Sequence, residues 1–139
     1  MTRTESPPQV WVDADVVLRL LTGQAQAQAA AALMARADAG ELRLRLCPLV
    51  VAEVVWVLTS AYDVPRAQVA DVLTSFLASG GLVVEDGMLL AVALAQMAEQ
   101  RVDFVDAYLA AKARLSGAPV APFDGDFDRL GAERLALDV

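Results

Sequence analysis

The chain has 139 residues, of which 57% are hydrophobic, and 11 basic against 18 acidic residues give a net charge of −7. This length and apolar content predict one domain with a substantial core and argue against a disordered protein. The excess of acids argues against broad electrostatic binding to DNA or RNA. No apolar run reaches the roughly 18 to 20 residues of a membrane span, so we expect a cytoplasmic protein.

The chain contains no histidine and a single cysteine, Cys47. One cysteine excludes an internal disulfide framework and a zinc site built on several thiolates. The absence of histidine removes Ser-His-Asp and Cys-His catalysis and the commonest general base. An enzyme with this composition must therefore use carboxylates, hydroxyls, arginine, its one lysine (Lys112) or a bound metal.

Short apolar segments typical of strands alternate with helical patterns along the chain. Strands are predicted at residues 9–12, 42–47, 82–84 and 119–123 and near 135–137, and helices at 13–21, 24–39, 48–61, 66–78, 88–100 and 104–115. This order predicts an α/β fold with a mostly parallel sheet of four or five short strands flanked by helices. Residues 1–9 are predicted to be a flexible leader and residues 10–139 a single domain. Ligands in such folds lie beyond the carboxyl ends of the strands.

Acidic residues recur where they could meet at that edge of the sheet. They are Asp13 and Asp15 after the first strand, Glu53 inside an apolar helix, Asp103 and Asp106 at the start of another helix, and Asp124, Asp126 and Asp128 after the last clear strand. Carboxylates held close together repel each other and must be protonated or share a cation. A hard divalent ion such as Mg²⁺ or Mn²⁺ is the natural partner of several carboxylate oxygens.

Each acid also has a purely structural interpretation. Either Asp13 or Asp15 could cap the helix that follows the first strand. Glu53 could lie at the edge of its apolar helix and point to water. Asp103 is better placed to cap its helix than to take part in chemistry, and Asp128 has the pattern of a turn residue.

The segment VDADVV resembles the first signature of haloacid-dehalogenase-like phosphatases. That resemblance implies that Asp13 is the nucleophile and Asp15 the acid/base. The same family closes its second core strand with Ser or Thr and carries a lysine ahead of its last motif. GDFD near the end is similar to that family's terminal acidic motif, but here the second strand ends in Cys47-Pro48 and Lys112 lies in mid-helix, so the resemblance is partial.

A second resemblance extends over nearly the whole chain. The segments VWVDADVVLRLL, CPLVVAEVVWVL, VDFVDAYLAAKA and APFDGDFDRL follow the order and spacing of the four motifs of PIN-domain ribonucleases. The small size of the chain is similar to that of the VapC-like toxins of type II toxin–antitoxin modules. The resemblance therefore implies a metal-dependent endoribonuclease, with a catalytically inactive PIN scaffold as the non-enzymatic alternative.

The PIN resemblance also implies which residues form the site. The catalytic, metal-binding acids would be Asp13, Glu53, Asp106 and Asp124, with Asp126 as an accessory ligand. They would hold one or two Mg²⁺ or Mn²⁺ ions, and a metal-activated water would cleave the RNA. PIN domains usually carry a small polar residue two positions after the first acid. Here that residue is Asp15, which either joins the metal site or caps the helix.

The remaining expectations concern partners. RNA would be held by scattered arginines, of which Arg19, Arg45 and Arg129 are the main candidates and Arg43, Arg101 and Arg114 the others. The resemblance implies a single-stranded or loop RNA substrate, a cognate antitoxin that covers the active site, and a homodimer. Three aromatic residues either line the antitoxin groove or belong to the core, namely Trp11, Trp56 and Tyr62. The apolar segments 54–58 and 69–76 either form the dimer interface or belong to the core.

Overall fold

The computed structural model describes residues 6–122 and 126–137. Three strands and seven helices follow one another within these ranges. They are β1 (Gln9–Trp11), α1 (Ala14–Thr22), α2 (Ala27–Asp38), β2 (Arg43–Leu46), α3 (Pro48–Ser60), α4 (Arg66–Leu77), β3 (Leu82–Val84), α5 (Gly87–Gln100), α6 (Phe104–Ser116) and α7 (Asp126–Arg129). The predicted α/β class with a parallel sheet and flanking helices is confirmed.

The three strands form one sheet in the order β1-β2-β3, and both pairings are parallel. In the register of the sheet, Val10 lies beside Leu44, which in turn lies beside Leu82. Parallel neighbours need crossover connections, and the helical segments between the strands supply them. The first acidic pair therefore follows β1 at the edge of the sheet where parallel strands end.

The predicted count of four or five strands is wrong for the described residues, which contain three. Val120 does extend toward Glu133–Leu135, but it forms a single parallel bridge, with hydrogen bonds of 2.7 Å from Val120 N to Glu133 O and from Leu135 N to Val120 O. Pro119 and Pro122 flank Val120 and lack the backbone N–H that a longer ladder would need. Part of the predicted segment, Phe123, lies outside the described residues.

The apolar sequence around β1 would suit a buried strand, but all three residues of β1 are exposed. Among residues 6–122 and 126–137, β1 pairs with β2 alone and so forms one edge of the three-stranded sheet. The strand β2 alternates as its sequence RLRL predicts, with Leu44 and Leu46 fully buried and the two arginines on the other face. This alternation fixes which face of the sheet belongs to the core.

The chain divides into two compact units, one of Met1–Val54 with Ser75–Glu85 and one of Val55–Thr74 with Asp86–Val139. The first unit holds the sheet, α1 and α2, and these two helices pack against each other. In the second unit α5 packs against α6, and α6 against α7. Alanines at 93, 107 and 110 are fully buried in α5 and α6, and such small side chains allow two helices to approach closely.

The core of the described residues consists of aliphatic side chains, alanine and a few phenylalanines, and it contains no polar or charged residue. The segments 54–58 and 69–76 place Val54, Leu58, Val69, Leu73 and Phe76 in this core. Their apolar character is therefore explained by packing within the chain. No helix in the described ranges is long and apolar enough to cross a membrane.

Candidate functional site

Asp13 directly follows β1 and begins α1. It occupies the N-cap position with an extended backbone, and its Oδ1 accepts a hydrogen bond of 3.0 Å from the backbone N–H of Val16. The strand before it is extended by one further bond, since the N–H of Val12 donates to the carbonyl of Arg45 at 2.9 Å. The side chain is exposed, so the carboxylate is held in a fixed direction at the edge of the sheet while it remains open to solvent.

The structure gives the capping role to Asp13 rather than Asp15. Asp15 lies in the first turn of α1, is exposed, and makes no side-chain hydrogen bond or ion pair with the described residues. Both carboxylates line a cavity of about 360 Å³ between α1 and α2, together with Arg19, Gln26 and four apolar residues. Asp15 therefore lies beside Asp13, and its carboxylate oxygens do not cap the helix.

Glu53 lies in α3, just after β2 at the same end of the sheet. Its side chain is exposed, although the helix around it is apolar and its neighbours Val51 and Val54 are fully buried. Glu53 therefore points to solvent, away from the core, as the structural interpretation predicts. Exposure is also what a metal ligand shared with a substrate requires.

Asp106 lies in the first turn of α6 and is half-buried. Asp103 occupies the N-cap position of the same helix with the extended backbone typical of a cap, but its side chain forms no capping hydrogen bond. The predicted N-cap position of Asp103 is thus confirmed. The side-chain hydrogen bond that usually accompanies this position is not formed. The N-terminal end of the α6 dipole favours the negative charge of both residues.

The last acidic motif is only partly described. Asp124 lies outside the described residues, and Asp126 is described only through its backbone, as the first residue of α7. Asp128 was predicted to be a turn residue, but it lies within α7 and forms an ion pair of 2.9 Å with Arg134. The short helix α7 was missed because its four residues carry no apolar period that distinguishes them from a turn.

A metal ion would find only oxygen ligands among the predicted site residues. Asp13, Glu53 and Asp106 all reach the surface, and carboxylates suit a hard divalent ion rather than a soft one. Within residues 6–122 and 126–137 no group of three or more acidic or cysteine side chains is placed to hold a metal. The donor chemistry of the predicted residues fits Mg²⁺ or Mn²⁺, and the predicted set also includes Asp124, which lies outside those ranges.

The three arginines predicted to hold RNA all have partners within the chain. Arg19 donates to the carbonyl of Ala25 at 2.9 Å, and Arg129 donates to that of Gln100 at 3.3 Å. Arg45 donates to Gln9 Oε1 at 2.6 Å. Arg45 also lies over the ring of Trp11.

A polar cluster that the sequence did not reveal joins Asp86 to α6. Asp86 Oδ2 accepts hydrogen bonds from Tyr108 Oη at 2.5 Å and from Lys112 Nζ at 2.9 Å. The hydrogen bond from Tyr108, and then Lys112, lower the pKa of Asp86. Burial and then Asp86 raise the pKa of Tyr108, and Asp86 raises the pKa of Lys112. The spacing of four residues between Tyr108 and Lys112 places both on one face of a helix, but the sequence gives no sign of the distant acid.

One family model matches this sequence. The PIN domain model matches residues 10–133, a range that contains Asp13, Glu53, Asp106 and Asp124. PIN domains are generally nucleases that act on phosphodiester bonds, and they typically use divalent metal ions. Neither the curated proteins nor the solved structures gave a significant match. The family match covers most of the chain, and the chain therefore belongs to the PIN-domain family.

Proposed function

We propose that this protein is a metal-dependent endoribonuclease and the toxin component of a type II toxin–antitoxin pair of the VapC-like kind, acting in the cytoplasm. The observation that carries the proposal is the match to the PIN domain over residues 10–133, which contains all four acids in the order of the family motifs. The position of Asp13 supports it, since this acid is exposed and fixed at the carboxyl end of β1.

The residues with proposed roles are Asp13, Glu53, Asp106 and Asp124, which would hold one or two Mg²⁺ or Mn²⁺ ions, with Asp126 as an accessory ligand. A divalent ion held by these acids would lower the pKa of a bound water and would offset the charge on the phosphate oxygens. Asp13 contributes a carboxylate whose direction is fixed by its bond to Val16 N. Asp15 lines the cavity beside Asp13, so we assign it a role in the hydration shell of the ion or in contacts with the substrate.

The proposed macromolecular partners are an RNA substrate, a cognate antitoxin and a second copy of the chain. Exposed apolar side chains grouped on one helix support protein partners, because contiguous exposed apolar patches often mark interaction sites. On α6 these are Val105, Leu109 and Leu115. Trp11 and Trp56 were considered as possible core residues, but 58% and 67% of their surfaces are exposed.

The toxin proposal is tested by sequencing RNA 5′ ends after induced expression in a host that carries no antitoxin. Wild type should arrest growth and produce new 5′ ends at a small set of RNA sites, whereas Asp13→Asn should do neither. Coexpression of the small neighbouring reading frame should restore growth and copurify with the chain. New ends that also accumulate with Asp13→Asn would contradict the assignment.

The alternatives make different predictions in the same setting. A haloacid-dehalogenase-like phosphatase would hydrolyse aryl phosphates through an aspartyl-phosphate on Asp13, but that interpretation rests on a partial resemblance, whereas the chain belongs to the PIN family. An inactive PIN scaffold need not bind metal. Isothermal titration with Mn²⁺ should give binding to wild type that weakens in Asp13→Asn and Asp106→Asn, and the absence of binding to wild type would favour the scaffold.

A further inference from the structure

One face of the sheet carries an exposed aromatic residue among arginines. Residues paired in register project to the same side of a sheet, so Gln9 and Trp11 share a face with their β2 partners Arg43 and Arg45. Gln9, Trp11 and Arg43 are exposed and Arg45 is half-buried, whereas Leu44 on the opposite face is fully buried. We call the four residues Gln9, Trp11, Arg43 and Arg45 the Trp11 face.

Arg45 lies at the centre of the Trp11 face and holds its parts in place. Its guanidinium carbon is 5.0 Å from the centroid of the Trp11 ring, a distance typical of a cation–π contact. Its Nη1 donates to Gln9 Oε1 at 2.6 Å, and its Nη2 forms a long ion pair of 3.9 Å with Glu85. The indole is therefore oriented before any ligand arrives, and more than half of its surface stays open to solvent.

Arg43 adds a positive charge that the described part of the chain leaves unused. Its side chain forms no hydrogen bond or ion pair with residues 6–122 or 126–137, while its backbone N–H donates to the carbonyl of Pro8 at 2.8 Å. The chain as a whole carries a net charge of −7, so a basic surface next to an exposed indole is a local exception. The charge favours an anionic ligand, and the indole favours a flat one.

Single-stranded RNA combines both properties. Proteins bind unpaired bases by stacking them on aromatic rings and on guanidinium planes, while nearby cations contact the phosphates. We infer that the Trp11 face is a binding platform for single-stranded RNA, on which a base stacks against Trp11 and an adjacent phosphate pairs with Arg43. The platform rests on the proposed nuclease function, because the RNA that it holds is the substrate of that enzyme.

The position of the platform suits such a role. Trp11 precedes Asp13 by two residues, which corresponds to about 7 Å of extended chain. A strand of RNA anchored on the indole would thus have its neighbouring nucleotides within reach of the first acid. Trp11 itself is not a catalytic residue, and its loss should weaken substrate binding without changing the chemical step.

The two tryptophans of the chain allow a direct test. In a Trp56→Phe background, Trp11 is the only tryptophan, and a fluorescein-labelled twelve-nucleotide oligoadenylate can be titrated in EDTA so that binding is measured without metal-dependent cleavage. Stacking should quench Trp11 fluorescence, and the midpoint of this titration should equal the midpoint measured by the anisotropy of the fluorescein label. Trp11→Ala should weaken binding about tenfold, and Trp11→Phe should weaken it less, since a smaller ring remains.

The charge of Arg43 is tested through salt dependence. Arg43→Gln should reduce the slope of log affinity against log salt by about 0.7, the value for one phosphate contact with a single strand. Arg36→Gln is the matched control, because Arg36 is an exposed arginine of α2 that is not part of the Trp11 face and is already paired with Glu41 at 3.1 Å. In cleavage assays Trp11→Ala should raise KM and leave kcat unchanged, which is the pattern of lost substrate binding.

Four outcomes would overturn the platform. RNA that binds wild type without changing Trp11 fluorescence, or that binds Trp11→Ala as tightly as wild type, would place the binding site elsewhere. Trp11 fluorescence that changes with protein concentration alone would assign the face to a second copy of the chain. If wild type fails to bind the oligomer at all, the platform is wrong, and metal-dependent cleavage measured separately decides whether the nuclease proposal stands.

Discussion

Asp13 Oδ1 accepts a hydrogen bond of 3.0 Å from the backbone N–H of Val16, so the first acid of the proposed site is also the N-cap of α1. One carboxylate therefore serves both the fold and the proposed chemistry. The two roles have different requirements, because a cap needs an oxygen acceptor and a metal site needs a negative charge. Two substitutions at this position separate them.

Asp13→Asn should abolish RNA cleavage and leave the fold nearly as stable, because asparagine caps helices about as well as aspartate. Asp13→Ala should lose cleavage and also about 1 kcal/mol of unfolding free energy, the usual value of an N-cap bond. Urea denaturation of both variants measures the difference. Equal destabilisation by Asn and Ala would show that the capping bond does not contribute as proposed.

Glu53→Gln should remove cleavage without a measurable change in stability. The side chain is exposed and forms no hydrogen bond or ion pair with the described residues, so its replacement by a neutral group of the same shape disturbs no contact there. Such surface substitutions usually change the unfolding free energy by less than about 0.5 kcal/mol. Glu99→Gln on α5 is the matched control, since Glu99 is also exposed and lies outside the four motifs, and it should keep full activity.

The cluster of Asp86, Tyr108 and Lys112 should make stability depend on pH at both extremes. The folded-state pKa of Asp86 lies below its ordinary value of 3.8, so its contribution is present above that value and is lost as pH falls through the lowered pKa. The pKa values of Tyr108 and Lys112 lie above 10.0 and 10.5, so their contribution is lost as pH rises through the raised values.

The test of this cluster compares the melting temperatures of wild type and Asp86→Asn across pH. The variant should melt at a lower temperature near pH 7, and the difference should shrink below pH 3.8 and above pH 10.5. Asp71→Asn, which alters an exposed acid of α4, should show no such profile. A difference between wild type and Asp86→Asn that stays constant from acid to alkali would contradict the proposed linkage.

Gly81→Ala should destabilise the chain more than Gly40→Ala. Both glycines have a positive φ, 76° and 78°, which costs an alanine about 1 kcal/mol. A Cβ on Gly81 would also lie 2.6 Å from the carbonyl carbon and oxygen of Ala37, whereas nothing lies within 4 Å of one on Gly40. Urea denaturation should therefore give a clearly lower free energy of unfolding for Gly81→Ala than for Gly40→Ala. Equal free energies of unfolding would show that the loop before β3 moves to accommodate the added Cβ.

The sequence predicted the elements well where apolar periods are long. All six predicted helices are present with ends that differ by at most three residues, and residues 82–84 form β3 as predicted. The strands were less predictable, because a run such as APVAPF is apolar enough for a strand while Pro119 and Pro122 limit its pairing to one bridge. The exposure of β1 also depends on its place at the sheet edge, which a single strand's sequence does not reveal.

The functional residues were predictable to a different degree. Acids in four motifs identify the family without coordinates, and the family match confirms that membership. The Trp11 face and the Asp86 cluster arise from contacts between segments 22 to 36 residues apart, such as Asp86 with Tyr108 and Gln9 with Arg45. Such contacts depend on strand register and helix packing, so no local sequence pattern predicts them.

The most direct test of the central claim is RNA cleavage by the purified chain with and without a divalent ion. Wild type should cleave single-stranded or loop RNA in Mn²⁺ or Mg²⁺ and lose the activity in EDTA. Asp13→Asn, shown by thermal melting to be folded, should be inactive under all conditions. Cleavage by Asp13→Asn at the wild-type rate with the same dependence on metal would contradict the assignment of Asp13 as the first acid of a PIN-domain nuclease.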